Sequence, residues 1–392
     1  MSVAPPPPLR AEAAVDLAAI RHNVRVLSGK AAAEGAATMA VVKADGYGHG
    51  AVAVGVAALQ AGATWLGVCT LEEARRLRAG GITAPVLSWL DLPADDYRPA
   101  VAQDVDLGVS SVRQLHAVRA AAIAEGRPAR VHLKADTGLS RNGCAAADWP
   151  ELVTAAAKAQ AEELVEAVAV WSHLAHADAP HNPTIDRQAR RLDEAHRIAV
   201  DAGLNPIRHL ANSAATMTRP DLYYDLVRPG IAVYGLDPLG RPVEESPLRP
   251  ALTFRTRVAL VKRVPAGEGV SYGHEWTTPR ETTLALLPVG YADGVPRRLS
   301  GPPSGVGGMQ VWLAGRRLPV VGRVCMDQLM VDCGDHPVAE GEPALLFGPG
   351  DQGEPTAQDW ASALGTIHYE IATGMKVGGR VTRTVLDSEE RP

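Results

Sequence analysis

The chain has 392 residues, 46% of them hydrophobic, and a formal net charge of −5. That length and apolar content allow one large domain with a smaller one, or two or three average domains. The negative balance argues against a nucleic-acid-binding or membrane-surface protein, which would need a basic face.

Pro5 to Pro8 stand where a signal peptide would carry an apolar segment. No uninterrupted apolar run reaches the length of a membrane span. Cys69, Cys144, Cys325 and Cys333 lie far apart and form no C-x-x-C pair. This usage predicts reduced thiols in a cytoplasmic protein with no membrane partner.

Residues 1–12 are expected to be flexible, with order beginning near Ala11. From Val15 the pattern is helical: Asp16 can cap a helix in which Leu17, Ile20, Val24 and Leu27 recur at helical spacing. Short apolar runs follow at Met39–Lys43, Trp65–Cys69, Val86–Trp89, Val105–Val109, Val131–Lys134, Ala167–His173, Ile207–Ala211 and Leu226–Tyr234. They alternate with alanine-rich amphipathic stretches, the pattern of right-handed βαβ units and a parallel sheet. Eight such units predict an α/β fold, with an N-terminal (β/α)8 TIM-like barrel over residues 13–240. An open doubly wound sheet is the alternative that periodicity leaves. Lys43, Lys134, His173, Asn212 and Arg228 fall at or just after the candidate strand ends. A closed barrel would gather them on one face, whereas an open sheet would scatter several.

Composition changes near Leu236, and Asp237–Pro250 reads as a linker rich in proline and glycine. Over residues 241–392, short strands are predicted at Thr253–Val258, Thr282–Val289, Val311–Ala314, Leu318–Val324, Leu329–Cys333 and Ala344–Phe347. They make a C-terminal β-rich domain, which the N-terminal residues can join. A helix over Ala357–Leu364 and a closing strand near Arg380–Val385 complete the chain.

Several strings carry chemistry. Ala40-Val41-Val42-Lys43 ends a buried strand at a lysine, and a loop with Gly46, Gly48 and Gly50 follows at once. A buried ammonium is costly unless it is paired or neutralised, and a Schiff base with a carbonyl cofactor gives such a lysine a use. In His132-Leu133-Lys134-Ala135-Asp136-Thr137-Gly138-Leu139-Ser140-Arg141, the i, i+2 spacing points His132 and Lys134 the same way, so Lys134 can face the barrel interior. His173-Leu174-Ala175-His176 has the residue types of a metal site, but an odd offset puts the two histidines on opposite faces, and no third ligand stands nearby. No metal is expected. Ser213, Gly230 and Ile231 belong to the strings of the last two candidate barrel strands, after which loops commonly bind phosphate. Neither a dinucleotide fingerprint nor a G-x-S-x-G elbow is present.

Taken in order, these strings resemble the motifs of the alanine racemases. The lysine string is similar to VVKADAYGHG of that family, with Gly46 in place of alanine. Gly269-Val270-Ser271-Tyr272-Gly273, Gly290-Tyr291-Ala292-Asp293-Gly294, Gly322-Arg323-Val324-Cys325-Met326-Asp327 and His368-Tyr369-Glu370-Ile371 continue the match, the last with His368 replacing a proline. The resemblance implies a pyridoxal-phosphate (PLP) enzyme of fold-type III that interconverts L- and D-alanine for peptidoglycan. It implies that Lys43 binds the cofactor and acts on the D-enantiomer, with Tyr272 as the second acid/base, on the L side. Tyr47, Asn212, Ser213, Gly230, Ile231 and Tyr369 would hold the cofactor, His173 would stack on its ring, and Arg228 would face its pyridine nitrogen. Arg141 and Met326 would meet the substrate. Lys134 would be carbamylated and hold Arg141, with Asp327 and Tyr291 in support. The resemblance further implies a homodimer whose sites combine the barrel of one subunit with the β domain of the other. Three other readings fit less well. A PLP carrier lacks a β domain, a broad-specificity racemase for basic amino acids is typically exported, and a fold-type III decarboxylase carries a catalytic cysteine motif not found here.

Overall fold

The computed structural model describes residues 9–301 and 308–387. The first strand, β1 (Ala11–Asp16), leads directly into the helix Leu17–Ala33. Asp16 caps that helix as its position suggests: its Oδ1 accepts from the Ala18 amide at 2.8 Å and the Ala19 amide at 3.2 Å. A cap of this kind is typically worth about 1 kcal/mol. Ile20, Val24 and Leu27 are fully buried along one face of the helix.

Each of the eight apolar runs becomes a strand: β2 (Ala37–Val41), β3 (Trp65–Val68), β4 (Val86–Ser88), β5 (Val105–Val109), β6 (Ala129–Lys134), β7 (Val165–Trp171), β8 (Ile207–His209) and β9 (Leu226–Val227). All pairings are parallel, in the order β8-β7-β6-β5-β4-β3-β2-β9. Closure between β8 and β9 rests on a few backbone bonds, including Asp225 N–H to Arg208 C=O at 3.1 Å and Arg228 N–H to Ala211 C=O at 2.8 Å. The result is a nearly closed barrel surrounded by helices, not an open sheet. Met39, Leu87 and Leu226, with Ala37, Trp65, Trp89 and Ile207 packed against them, form an apolar layer inside it. Ala37, Trp65, Ile207 and Leu226 each begin a strand, so most of this layer lies toward the N-terminal end, with Trp89 just past the end of β4. The C-terminal end carries Lys134, His209 and Arg228 beside Trp89 and Trp171.

The second compact unit joins the segment ending at Ala19 to the chain from Arg249 onward, while Ile20–Leu248 forms the first. The reason is β1, which pairs antiparallel with β10 (Leu252–Arg257) and parallel with the last strand of the chain. The strands that follow β10 are β11 (Leu260–Val264), β12 (Gly269–Val270), β13 (Trp276–Thr277), β14 (Thr282–Leu287), β15 (Gln310–Leu313), β16 (Arg316–Val321), β17 (Leu329–Gly334), β18 (Pro343–Phe347) and β19 (Thr382–Leu386). Nine form one sheet, ordered β11-β14-β17-β16-β15-β18-β10-β1-β19, and β12-β13 is a separate hairpin. The helix Ala357–Leu364 begins at a capping box between Thr356 and Asp359. It sets Trp360 against Phe347 and Phe254, with ring centroids 5.0 and 6.5 Å apart. The segment read as a linker is a compact turn. Asp237 is buried there and accepts from the Leu239 amide, Arg241 and Ser246. Among the described residues, no helix is long and apolar enough to cross a membrane.

Candidate active site

Lys43 does not continue β2. It opens a left-handed turn in which Ala44, Asp45, Gly46, Tyr47 and Gly48 have φ of 52°, 51°, 63°, 50° and 85°. Each non-glycine residue in this conformation costs roughly 1–2 kcal/mol. Fixed partners offset the cost. Glu73 accepts from the Ala44 amide at 2.7 Å and, through its other oxygen, from the Cys69 amide at 2.8 Å. Asp45 accepts from the Ala51 amide at 3.0 Å. Tyr234, fully buried, donates to the Val41 carbonyl at 3.0 Å and packs its ring 4.9 Å from that of Tyr47. The half-buried Lys43 ammonium lies 5.9 Å from the centre of the Tyr47 ring.

The far end of Tyr47 reaches the loop after β9. A Cβ at Gly230 would sit 2.5 Å from the Tyr47 hydroxyl oxygen, so only glycine lets the two approach. Beside it, the buried Ser213 hydroxyl accepts from the Gly230 and Ala232 amides at 2.8 and 3.3 Å. Its own proton has no acceptor among the described residues and is free to donate. Ile231 is buried and starts the turn Ile231–Tyr234. Asn212 caps the helix Ser213–Thr218, its Oδ1 accepting from the Ala215 amide. The Ser213 and Tyr47 hydroxyls, gathered at this tight glycine turn, suit a phosphate ester.

Arg228 projects into the barrel, almost fully buried. It donates to the carbonyls of Ser172 (2.7 Å) and Leu210 (3.1 Å), to His173 Nδ1 (3.3 Å) and to His209 Nδ1 (2.9 Å). A chain runs on from there. His209 Nε2 meets His132 Nδ1 at 2.9 Å, and His132 Nε2 meets Asp106 Oδ2 at 3.2 Å. Because Arg228 can only donate, His209 Nδ1 must accept. His209 then carries its proton on Nε2, and His132, accepting at Nδ1, carries its own on Nε2 toward Asp106. Both rings are therefore neutral, between a cation and an anion. Burial, then Arg228, holds His209 well below its ordinary pKa. Burial alone brings Arg228 down to about 9. For Asp106, burial pushes upward, but hydrogen bonds from His132 and Arg130 prevail and hold it near 2.

Lys134 ends β6 with 6% of its surface exposed, its ammonium 4.3 Å from the centre of the Trp171 ring. Burial, then Arg228 and Arg141, lowers its pKa to about 7. His173 is depressed well below its usual value, by burial first and then by Arg228 and Lys134. Arg141 stands exposed on the following loop and makes no ion pair among the described residues. That loop is shaped by Asp136, whose Oδ1 accepts the amides of Gly138, Leu139 and Ser140.

The other sequence-predicted residues lie in the second unit. Tyr272 sits at the tip of the β12-β13 hairpin, 71% exposed. Tyr291 and Met326 are also exposed, on adjoining loops that are bonded together: the Tyr291 amide donates to Cys325 C=O and the Ala292 amide to Met326 C=O, both at 3.0 Å. Asp327 pairs with Arg380, which also reaches the buried Asp293 at 2.9 Å. Tyr369 is half-buried on the helix His368–Gly374, stacked on His368. No group of three His, Cys, Asp or Glu among the described residues could hold a metal.

Asp106, His132, His209, Trp171, Glu73 and Tyr234 were not singled out as site residues by sequence reasoning. A charge inside an apolar run, as in Val105-Asp106-Leu107, is the one signal that could have flagged them.

The alanine racemase N-terminal domain model matches residues 15–238, and the alanine racemase C-terminal domain model matches residues 251–385. An alanine racemase of Salinispora arenicola is 58% identical over 93% of this chain and 95% of its own length. One from Mycobacterium tuberculosis is 54% identical over 98% of both. The crystal structure of alanine racemase from the D-cycloserine-producing Streptomyces lavendulae has a TM-score of 0.91 at 49% identity, over 97% of this chain and 98% of that one. With the barrel, its polar mouth and the β-rich unit all accounted for, the chain belongs to the alanine racemase family.

Proposed function

We propose that this chain interconverts L- and D-alanine with PLP held in the barrel mouth. The observation that carries the reading is the span from the Lys43 amine to the cradle of Tyr47, Ser213 and Gly230, an amine at one end and phosphate-binding groups at the other. When bound, PLP withdraws electrons from an amino acid joined to it and so acidifies the Cα proton.

The residues supply the rest. Inverting Cα needs a proton carrier on each face: Lys43 Nζ on the D side, the Tyr272 hydroxyl on the L side. Tyr47, the Ser213 hydroxyl, the loop at Gly230 and Ile231, Asn212 and Tyr369 hold the phosphate end, and His173 covers the ring. Arg228 donates hydrogen bonds but remains a cation, so it does not act as an acid at neutral pH. It therefore limits electron withdrawal, which favours rapid return of the proton. Arg141 and Met326 receive the substrate, Arg141 through its fork of donors for a carboxylate. Lys134, held near 7, is partly a free amine at physiological pH. It can add carbon dioxide and release a proton, leaving an anionic carbamate between Arg141 and Arg228. The active species is a homodimer in which Lys43 of one chain works with Tyr272 of the other, and the D-alanine formed serves peptidoglycan.

Purified protein incubated with L-alanine in heavy water tests the reaction. D-Alanine carrying deuterium at Cα, without pyruvate, is the expected result; pyruvate, or L-alanine that keeps its Cα proton, refutes it. Borohydride reduction followed by peptide mapping should place the label on Lys43.

A further inference from the structure

The hairpin tip carrying Tyr272 is strained on one side. Ser271 has φ 63° and ψ −170°, a region essentially confined to glycine. It is followed by Tyr272, by Gly273 at φ 76°, and by His274 at φ 45°. Two ladder pairs, Gly269 with Thr277 and Val270 with Trp276, close the ribbon beneath this tip, and backbone bonds joining Gly267 and Glu268 to Thr278 continue it. Such a short hairpin has little stability of its own.

Its conformation is instead fixed against the loop that carries Met326. The Ser271 hydroxyl lies 2.7 Å from the Arg323 carbonyl and 3.2 Å from Cys325 Sγ. A hydroxyl has one proton, and the short contact to the carbonyl claims it. The Cys325 thiol can then donate to the hydroxyl oxygen or to the Arg323 carbonyl, 3.5 Å away. Arg323 also pairs with Glu275 on the far side of the tip. Gly322 completes the seat, because a Cβ there would come within 2.6 Å of the Val270 carbonyl.

We infer that Ser271 is a positioning residue for Tyr272. Its hydroxyl holds an otherwise unfavourable backbone conformation and so sets the direction of the phenol. The inference rests on reading Tyr272 as the L-side proton carrier. Alanine at 271 keeps the steric cost of positive φ and loses the tether, so the tip relaxes. Glycine loses the tether but removes the steric cost, so the active conformation stays accessible without being held. The expected order of activity is therefore serine, then glycine, then alanine.

The test uses the holoenzyme of the parent, Ser271→Ala, Ser271→Gly and Tyr272→Phe. Cα hydrogen exchange with solvent is followed separately for L- and D-alanine, together with kcat and KM. Ser271→Ala should lower kcat about tenfold or more, the order expected when a catalytic group is misplaced, with KM nearly unchanged. Exchange from L-alanine should fall further than exchange from D-alanine. Amide hydrogen exchange over residues 270–275 should rise in Ser271→Ala with no substrate present. Ser271→Gly should lie between parent and Ser271→Ala in both measurements, and it carries the test if Ser271→Ala fails to fold. Parent-like kinetics in Ser271→Ala, equal loss for both enantiomers, or a glycine variant matching either extreme would overturn the inference. Tyr272→Phe separates the two claims. If it exchanges L-alanine at the parent rate, the reading of Tyr272 falls; if it is impaired while Ser271→Ala is not, the positioning role alone falls.

Discussion

At Lys134, burial and two guanidinium groups act in one direction, and the amine's folded pKa drops to about 7 from roughly 10.4 in an unfolded chain. Between those values the unfolded state binds more protons, so stability rises with pH from about 7 to 10 and is flat below 7. In carbon-dioxide-free buffer the parent should show this slope, and Lys134→Met should lack it. A carbamate would remove the amine altogether. Bicarbonate at constant pH should therefore raise the melting temperature of the parent and leave Lys134→Met unmoved, as scanning calorimetry can check. Gly230 poses a steric question instead. Its φ of −111° is open to any residue, but its ψ of −91° lies outside the usual α and β regions, and an added Cβ would strike the Tyr47 hydroxyl. Gly230→Ala should lose about 1–3 kcal/mol of stability and bind PLP about tenfold more weakly, or worse. Absorbance titration of the apoprotein measures this, and unchanged affinity would remove Gly230 from the cradle.

Among the elements, the barrel strands were legible for a physical reason. Strands buried on both faces read as continuous apolar runs, and all eight runs became strands. By contrast β11 escaped notice: as an edge strand with Lys262 and Arg263, it lacks a clean apolar alternation. In the sequence β1 shows only as the onset of order before a helix, because its partners β10 and β19 lie more than two hundred residues away. The chain Arg228–His209–His132–Asp106 was illegible for the same kind of reason. Its members come from β5, β6, β8 and the loop after β9, and only closure of the barrel brings them together. Asp106 receives three donors, from Trp65 (2.9 Å), Arg130 (2.6 Å) and His132 (3.2 Å). Asp106→Asn can set an amide donor against them and removes the charge that Arg130 and His132 face. Removing one partner of a buried charged set typically costs about 3–5 kcal/mol, and urea unfolding should show a loss of that order. A loss below about 1 kcal/mol would mean that Asp106 contributes no more than an exposed ion pair.

For the whole molecule, the residues assigned by resemblance divide cleanly. Lys43, Tyr47, Lys134, Arg141, His173, Asn212, Ser213, Arg228, Gly230 and Ile231 belong to the barrel unit, and Tyr272, Tyr291, Met326, Asp327 and Tyr369 to the β-rich unit. Each half is internally ordered: the barrel side by the turn after β2 and the chain from Arg228, the other side by bonds among the loops at 271, 291 and 325. Neither half holds both proton carriers, so the proposed chemistry requires the two units to cooperate, within one chain or across a dimer. Mixing Lys43→Ala with Tyr272→Phe protein distinguishes these cases. Each variant alone should be nearly inactive, since a lost acid/base group costs about 10² to 10⁴-fold. If sites are shared across a two-fold dimer, a mixed dimer places both lesions in one site and leaves the other intact. Random exchange between equal amounts makes half of the dimers mixed, so activity should recover to about a quarter of the parent's. If each site is built within one chain, every site keeps one lesion, and no recovery follows even when subunit exchange is confirmed by mass spectrometry of differently labelled chains. That outcome would leave the racemase reading standing and remove the shared dimer site.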